Sequence, residues 1–215
     1  MKRLLLSGIA LAVPALAVVV SSATGALLIY DRTAIARGEV WRLITGHWVH
    51  FSVGHLVTDF IAFSLGIALL RPSCRRAWLL TLAATGGMIP AALWWLQPEL
   101  ERYAGLSGLG LATWAFAGVT LWSGQPQGRG WGSVILGLLL AKLLLEMASG
   151  RFAVMAIGDA GVEPATLAHG VGVLCGAAGA VIHQRLLTCQ RAAGPCQAGP
   201  RAEAVPSANA TPGTS

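Results

Sequence analysis

The sequence predicts an all-α membrane protein, a bundle of six transmembrane helices with an interfacial loop after the first helix. Hydrophobic residues make up 55% of the chain, charged residues only 11%, and the mean hydropathy is +0.66. A soluble domain usually carries about 25% charged residues, so this composition excludes a protein whose whole surface faces water. The 215 residues fit one membrane domain, because each of about six spanning helices needs roughly 20 residues.

Apolar runs separated by polar loops define the predicted helices. The runs cover residues 4–23, 51–70, 77–96, 107–122, 131–148 and 165–187 approximately, and together they form one domain over residues 1–187. The first run follows Lys2 and Arg3 as in a signal peptide, but its length favours an uncleaved spanning helix. Residues 188–215 are rich in Ala, Gly, Pro, Ser and Thr, and we expect a disordered cytoplasmic tail there.

Residues 24–50 are predicted not to span the membrane, because charges interrupt their apolar character. The interrupting residues are Asp31, Arg32, Arg37, Glu39 and Arg42. Trp41 and Trp48 are typical anchors at a membrane surface. We therefore expect a loop that lies in the interface.

The distribution of basic residues predicts the orientation of the helices. One set of loops and termini contains many basic residues and a single acidic residue, Glu203. The basic residues are Lys2, Arg3, Arg71, Arg75, Arg76, Arg129, Arg185, Arg191 and Arg201. By the positive-inside rule this set is cytoplasmic, so both termini face the cytoplasm and segments two, four and six begin at the outer face. The formal charge of +6 does not indicate a nucleic-acid partner, since the arginines lie in membrane loops without a continuous basic face.

Ser107 and His169 are the candidate catalytic residues. Ser107 opens the fourth segment and His169 lies one turn inside the sixth, so the predicted topology puts both at one depth below the outer face. A serine hydroxyl within reach of a histidine is an activated nucleophile. Gly105 and Gly108 allow close backbone approach and leave the Ser107 N–H free to face a developing oxyanion. The alternative is that these small residues form only a helix contact.

Two glycines favour an approach of His169 to Ser107. Gly172 and Gly176 lie on the same helix face as His169 and permit close packing on a neighbouring helix. If that neighbour is the fourth segment, the imidazole comes close to the serine. An ionisable residue inside a membrane is a functional candidate by default, the alternative being a structural histidine bonded to a carbonyl.

A second polar cluster stands at the head of the second segment, formed by His47, His50, His55 and Asp59. His55 and Asp59 are four residues apart and share a helix face. His50 and His55 are five apart, which turns them away from each other on a helix, and there is no His-Glu-x-x-His motif. We therefore expect neither a metal ion nor another cofactor.

Lys142 and Glu146 lie four residues apart in the fifth segment. Such a pair neutralises itself within a helix and faces the bundle. The alternative is a contact for a polar acceptor or for one end of a substrate. No residue is identified as a third member of a catalytic triad, so packing alone is expected to orient His169.

Four motifs follow one another in the chain: Trp41-Arg42-x-x-Thr45, His50-x-x-x-x-His55-x-x-x-Asp59, Gly105-x-Ser107-Gly108 and Ala168-His169-x-x-Gly172-x-x-x-Gly176. Together they resemble the rhomboid intramembrane serine proteases. The resemblance implies a rhomboid-like bundle in which Ser107 is the nucleophile and His169 its general base. It further implies that His55 donates to the oxyanion beside the Ser107 N–H, and that Trp41 and Arg42 belong to the interfacial loop.

Two further features are similar to the rhombosortase subfamily, the run from Trp41 to His50 and the pair Lys142 and Glu146. The resemblance implies an enzyme of a bacterial-type inner membrane, with its site toward the periplasm. It would cleave C-terminal transmembrane anchors with Gly-Gly signals from exported proteins within the lipid bilayer. The acyl-enzyme would then meet water or an amine-bearing lipid-derived acceptor. A general rhomboid protease with other single-span substrates and an inactive helix-binding relative are the alternatives.

Two positions depart from the rhomboid pattern. Asp59 stands where an oxyanion-hole asparagine is usual, and Leu111 where an aromatic residue usually stacks on the histidine. An ionised carboxylate beside an oxyanion would repel it. We expect Asp59 to pair with His55 and hold it as imidazolium, the competing hypothesis being a protonated Asp59 that donates directly.

Overall fold

The computed structural model describes residues 18–19, 23–149 and 165–192. Most of the first predicted helix and most of the predicted tail lie outside these residues. Val18–Val19, predicted to belong to the first helix, instead forms a short strand, β1, which pairs in parallel with Val49–His50. Valine is β-branched and suits an extended backbone once a partner strand is available.

In the part of the chain that the structure describes, five helices make up the body of the protein, and this mostly helical architecture confirms the all-α fold class. They are α4 (Val53–Ala68), α5 (Arg75–Leu96), α6 (Ser107–Trp122), α7 (Pro126–Ser149) and α8 (Thr166–Ala192). Among the described residues, three helical stretches are long and apolar enough to cross a membrane: Pro72–Leu96, Pro126–Ala148 and Thr166–Gln190. Val53–Ala68 is a shorter apolar helix.

The segment before α4, predicted as an interfacial loop, is built from short helices and strands. It contains α1 (Ala23–Leu28), β2 (Tyr30–Asp31), α2 (Arg32–Ala36), α3 (Arg42–Thr45), a 3-10 turn (Gly46–Trp48) and β3 (Val49–His50). The polar residues that prevent a long helix here make these short elements possible. Asp31 is one example, because its Oδ1 accepts from the Ala34 N–H at 3.0 Å and caps α2.

Arg42 and Trp41 hold this segment together. The Arg42 side chain is buried, and its Nη1 donates to the carbonyls of Ala26 at 2.9 Å and Ile29 at 3.0 Å. Trp41 is 50% exposed, and its Nε1 donates to the Leu27 carbonyl at 3.3 Å. These hydrogen bonds fasten α3 to the chain in and just after α1.

Pro90 lies inside α5 and leaves the Gly86 carbonyl without its usual helical donor, because proline has no N–H. His47 supplies the donor from the 3-10 turn, with its Nε2 3.0 Å from that carbonyl. Burial lowers the pKa of His47, which keeps the ring neutral. This bond joins the segment before α4 to the bundle.

The helix α6 is the central helix of the body, packed against α4, α5, α7 and α8. Small residues allow this crowding, because they let neighbouring backbones approach closely. Gly172 of α8 lies directly against the Gly108 carbonyl, and Gly176 lies against the Ala112 carbonyl. A Cβ at either glycine would overlap the α6 backbone.

The tail was predicted to begin at residue 188, but α8 continues to Ala192. Residues 188–192 are therefore helical. Polarity alone does not end a helix, and glutamine and arginine are good helix formers. The first strong helix breakers that follow Ala192 in the sequence are Gly194 and Pro195.

We expect Gly176→Ala to lower stability by about 1 to 3 kcal/mol, because the added methyl group pushes α8 away from α6. Thermal unfolding in detergent measures the loss. Gly137→Ala is the matched control, since Gly137 lies on α7 with open space around it. Equal melting temperatures for the two variants would show that the α6–α8 contact tolerates a side chain.

Candidate active site

Three helix ends meet at one end of the bundle. Ser107 is the first residue of α6, His169 lies in the first turn of α8, and Glu146 lies in the last turn of α7. Helices that alternate in direction bring the start of one and the end of the next to the same level. The site is therefore assembled from rigid elements.

Ser107 and His169 are in hydrogen-bond contact, with 2.8 Å between Ser107 Oγ and His169 Nε2. His169 is 7% exposed, and Ser107 is partly exposed. Because Gly172 and Gly176 bring α8 close to α6, the imidazole reaches the serine across one helix interface. The serine remains accessible while its partner is shielded, which suits a nucleophile and its base.

Glu146 contacts the other side of the imidazole, with 2.8 Å between Glu146 Oε2 and His169 Nδ1. A carboxylate only accepts hydrogen bonds, so Nδ1 carries the proton and Nε2 is left to accept from the serine hydroxyl. Packing alone was expected to orient His169, and this contact corrects that expectation. The sequence feature that could have indicated this contact is the position of Glu146 near the end of the fifth apolar segment. The predicted topology puts that position at the same membrane depth as Ser107 and His169.

Lys142 pairs with Glu146 through the second carboxylate oxygen, as the four-residue spacing predicts. The two side chains differ in burial. Glu146 is 1% exposed, whereas the Lys142 side chain is 28% exposed. The pair faces the bundle as predicted, but it is more than a self-neutralising ion pair, because its carboxylate also contacts His169.

Asp59 joins two imidazoles in a second buried cluster. Its Oδ2 lies 3.3 Å from the Nε2 atoms of both His50 and His55. The expectation that His50 and His55 diverge was wrong, since their ring centroids are 5.0 Å apart. That expectation assumed one helix, but Ser52 caps α4, so His50 lies outside it in β3.

The loop that leads into α6 rests on this cluster. Gly105 has φ +130°, a left-handed conformation that favours glycine. A Cβ there would lie 3.0 Å from His55 Nε2 and 3.3 Å from Asp59 Oδ2. Tyr103 donates to the Gly105 carbonyl at 3.1 Å, and burial, followed by the Asp59 charge, raises the pKa of its hydroxyl. The backbone just before Ser107 is thus fixed against His55.

A family model for the Rhomboid domain matches residues 37–185. The chain belongs to the rhomboid family. The match extends from the segment before α4 into α8 and includes Ser107, Glu146 and His169. Rhomboid proteins are generally serine proteases that act on membrane proteins within the lipid bilayer, so this chain is an integral membrane protein of the intramembrane-protease type. The search of curated proteins found no matching relative.

The remaining predicted residues of this rhomboid protein have mostly structural contacts. Trp41 and Arg42 bond within the segment before α4, and Gly108 lies under α8. Leu111, in place of the usual aromatic residue, packs with the aliphatic cluster around Ile135. Within residues 23–149 and 165–192, no group of three or more His, Cys, Asp or Glu side chains is placed to hold a metal ion.

The Asp59 carboxylate faces two imidazoles, and Asp59→Asn removes the charge that supports His55. We therefore expect this variant of the rhomboid protein to react with a fluorophosphonate probe about tenfold or more slowly. The measurement is the labelling rate across a range of pH. Asp31→Asn is the control, because asparagine caps a helix as well as aspartate does. An unchanged rate and pH profile in Asp59→Asn would eliminate the pairing with His55 as a functional feature.

Proposed function

We propose that this rhomboid protein is an active intramembrane serine protease in which Ser107 is the nucleophile and His169 the general base. The single observation that supports this most directly is the 2.8 Å separation of Ser107 Oγ and His169 Nε2. The two side chains come from different helices and are 62 residues apart in sequence. Burial of the imidazole beside an accessible hydroxyl supports a reactive pair.

The reaction begins when a substrate helix unwinds at the end of the bundle where Ser107 lies. Ser107 Oγ attacks the scissile carbonyl carbon as its proton passes to His169 Nε2. The developing oxyanion is stabilised by the Ser107 N–H and His55, and each such donor contributes about 3 to 4 kcal/mol in soluble serine proteases. His169 then gives the proton to the leaving amine as the peptide bond breaks, which leaves an acyl-enzyme on Ser107.

The proposed substrates are exported proteins held by a C-terminal transmembrane helix preceded by a Gly-Gly signal. Two features support this choice, the run from Trp41 to His50 and the pair Lys142 and Glu146, both similar to rhombosortases. Glycine favours local unwinding because it is a poor helix former. Water would resolve the acyl-enzyme to a free carboxylate, whereas a lipid-derived amine would form a new amide.

The proposed site faces the periplasm from a bacterial-type inner membrane, with both termini in the cytoplasm. The distribution of arginine supports this orientation. Arg71 lies between α4 and α5, and Arg75 and Arg76 begin α5. Arg129 lies near the start of α7, so all four are at helix ends opposite to Ser107.

We expect Ser107→Ala and His169→Ala each to abolish labelling by a fluorophosphonate probe, because the first removes the nucleophile and the second its base. Ser123→Ala and His183→Ala are the controls, since Ser123 follows the far end of α6 and His183 lies on α8 toward the end opposite to His169. Probe incorporation into detergent-solubilised protein is the measurement. Labelling that persists in Ser107→Ala would exclude the proposed nucleophile, and an unlabelled but folded wild-type protein would indicate an inactive helix-binding relative.

A reporter protein with a Gly-Gly signal and a C-terminal anchor tests the proposed substrate class. Co-expression with the wild-type enzyme should release the anchor, and co-expression with Ser107→Ala should not. Mass spectrometry of the new C-terminus then separates a free carboxylate from an added amine. Equal processing of a reporter in which leucine replaces both glycines would contradict the proposed specificity.

A further inference from the structure

We infer that Glu146 completes a catalytic triad with His169 and Ser107, an inference that rests on the proposed protease function. Glu146 would act as a positioning residue through the imidazole and would not touch the substrate. The contacts form one continuous chain, from Lys142 through Glu146 and His169 to Ser107. Each carboxylate oxygen has its own partner, Oε1 with Lys142 and Oε2 with His169.

The burial of Glu146 argues against a purely helix-stabilising pair. Its side chain is fully buried, although removing a carboxylate from water is strongly unfavourable. An i,i+4 pair with Lys142 would form equally well on an exposed face and would then avoid that cost. Instead the carboxylate points into the interface between α7 and α8, where His169 is its second partner. The fold therefore tolerates a buried carboxylate beside the ring that would become an imidazolium.

The contact with Glu146 affects the reaction in two ways. Before attack, the carboxylate accepts from Nδ1–H and so keeps the Nε2 lone pair directed at Ser107 Oγ. During attack, His169 Nε2 takes the serine proton, and the new positive charge on the ring lies 2.8 Å from the Glu146 carboxylate. The proton on Nδ1 stays there throughout, and the proton on Nε2 later passes to the leaving amine.

Lys142 completes the arrangement from one turn earlier on α7. Its partly exposed ammonium group pairs with the buried carboxylate and favours the ionised form of Glu146 in the resting enzyme. The Lys142–Glu146 pair has no net charge, and it keeps none when the imidazole accepts a proton. The pair therefore provides a local negative group beside His169 without an isolated buried charge.

The test compares two conservative variants by the rate of fluorophosphonate labelling. Glu146→Gln keeps the size of the side chain and loses its charge, whereas Glu146→Asp keeps the charge and is shorter. If charge matters, Glu146→Gln should lower the maximal labelling rate by about 100-fold or more with unchanged probe affinity, and Glu146→Asp should retain more activity. Glu101→Gln, at an exposed position outside the helices, is the control. Labelling of Glu146→Gln within about threefold of wild type, or slower labelling of Glu146→Asp than of Glu146→Gln, would overturn the inference.

A second measurement needs no variant at Glu146. In wild-type protein with nitrogen-15 histidine, NMR should find neutral His169 protonated at Nδ1, and protonation at Nε2 would overturn the inference.

The outcomes also separate this inference from the proposed function. Loss of Ser107-dependent labelling in wild type defeats the function, whereas normal labelling in Glu146→Gln defeats only the triad.

Discussion

The close contact between α6 and α8 is the constraint on which the site depends. Gly172 and Gly176 lie against the Gly108 and Ala112 carbonyls, with no space for a side chain. Lipid tails give helices little hydrophobic reason to associate, so packing at small residues is a main source of attraction between them. A wider separation of the two helices would remove the imidazole from the serine. The 2.8 Å contact between His169 and a residue at the start of α6 follows from this interface.

The groups around Ser107 are each fixed by a different part of the fold. The glutamate comes from α7, the imidazole from α8, and the loop before α6 rests on the pair His55 and Asp59. Such support holds a catalytic geometry better than an exposed loop does, because the rotamers are restricted by packing and by further hydrogen bonds. Asp59 contributes by contacting two imidazoles at once, which links the segment before α4 to the helical body.

The sequence predicted those features that depend on depth and on spacing within one helix. Hydropathy gave the helices of the body, and the level of Ser107 and His169 followed from topology. The glycine spacing indicated which face of α8 packs closely. Contacts between elements were harder to predict. The helical spacing rule failed for His50 because the Ser52 cap starts α4 after it, and Glu146 was assigned only to its intrahelical partner. Both errors came from treating one segment at a time, whereas the contacts depend on how segments meet.

The central claim is that Ser107 and His169 form a reactive pair, and a structure of the fluorophosphonate-treated protein in a lipid environment tests it most directly. The account predicts a covalent bond between phosphorus and Ser107 Oγ, with the phosphoryl oxygen directed to the Ser107 N–H and His55. His169 should remain within hydrogen-bond distance of the adduct, on the side of the leaving group. An unmodified Ser107 in treated protein, or an adduct on another residue, would contradict the account.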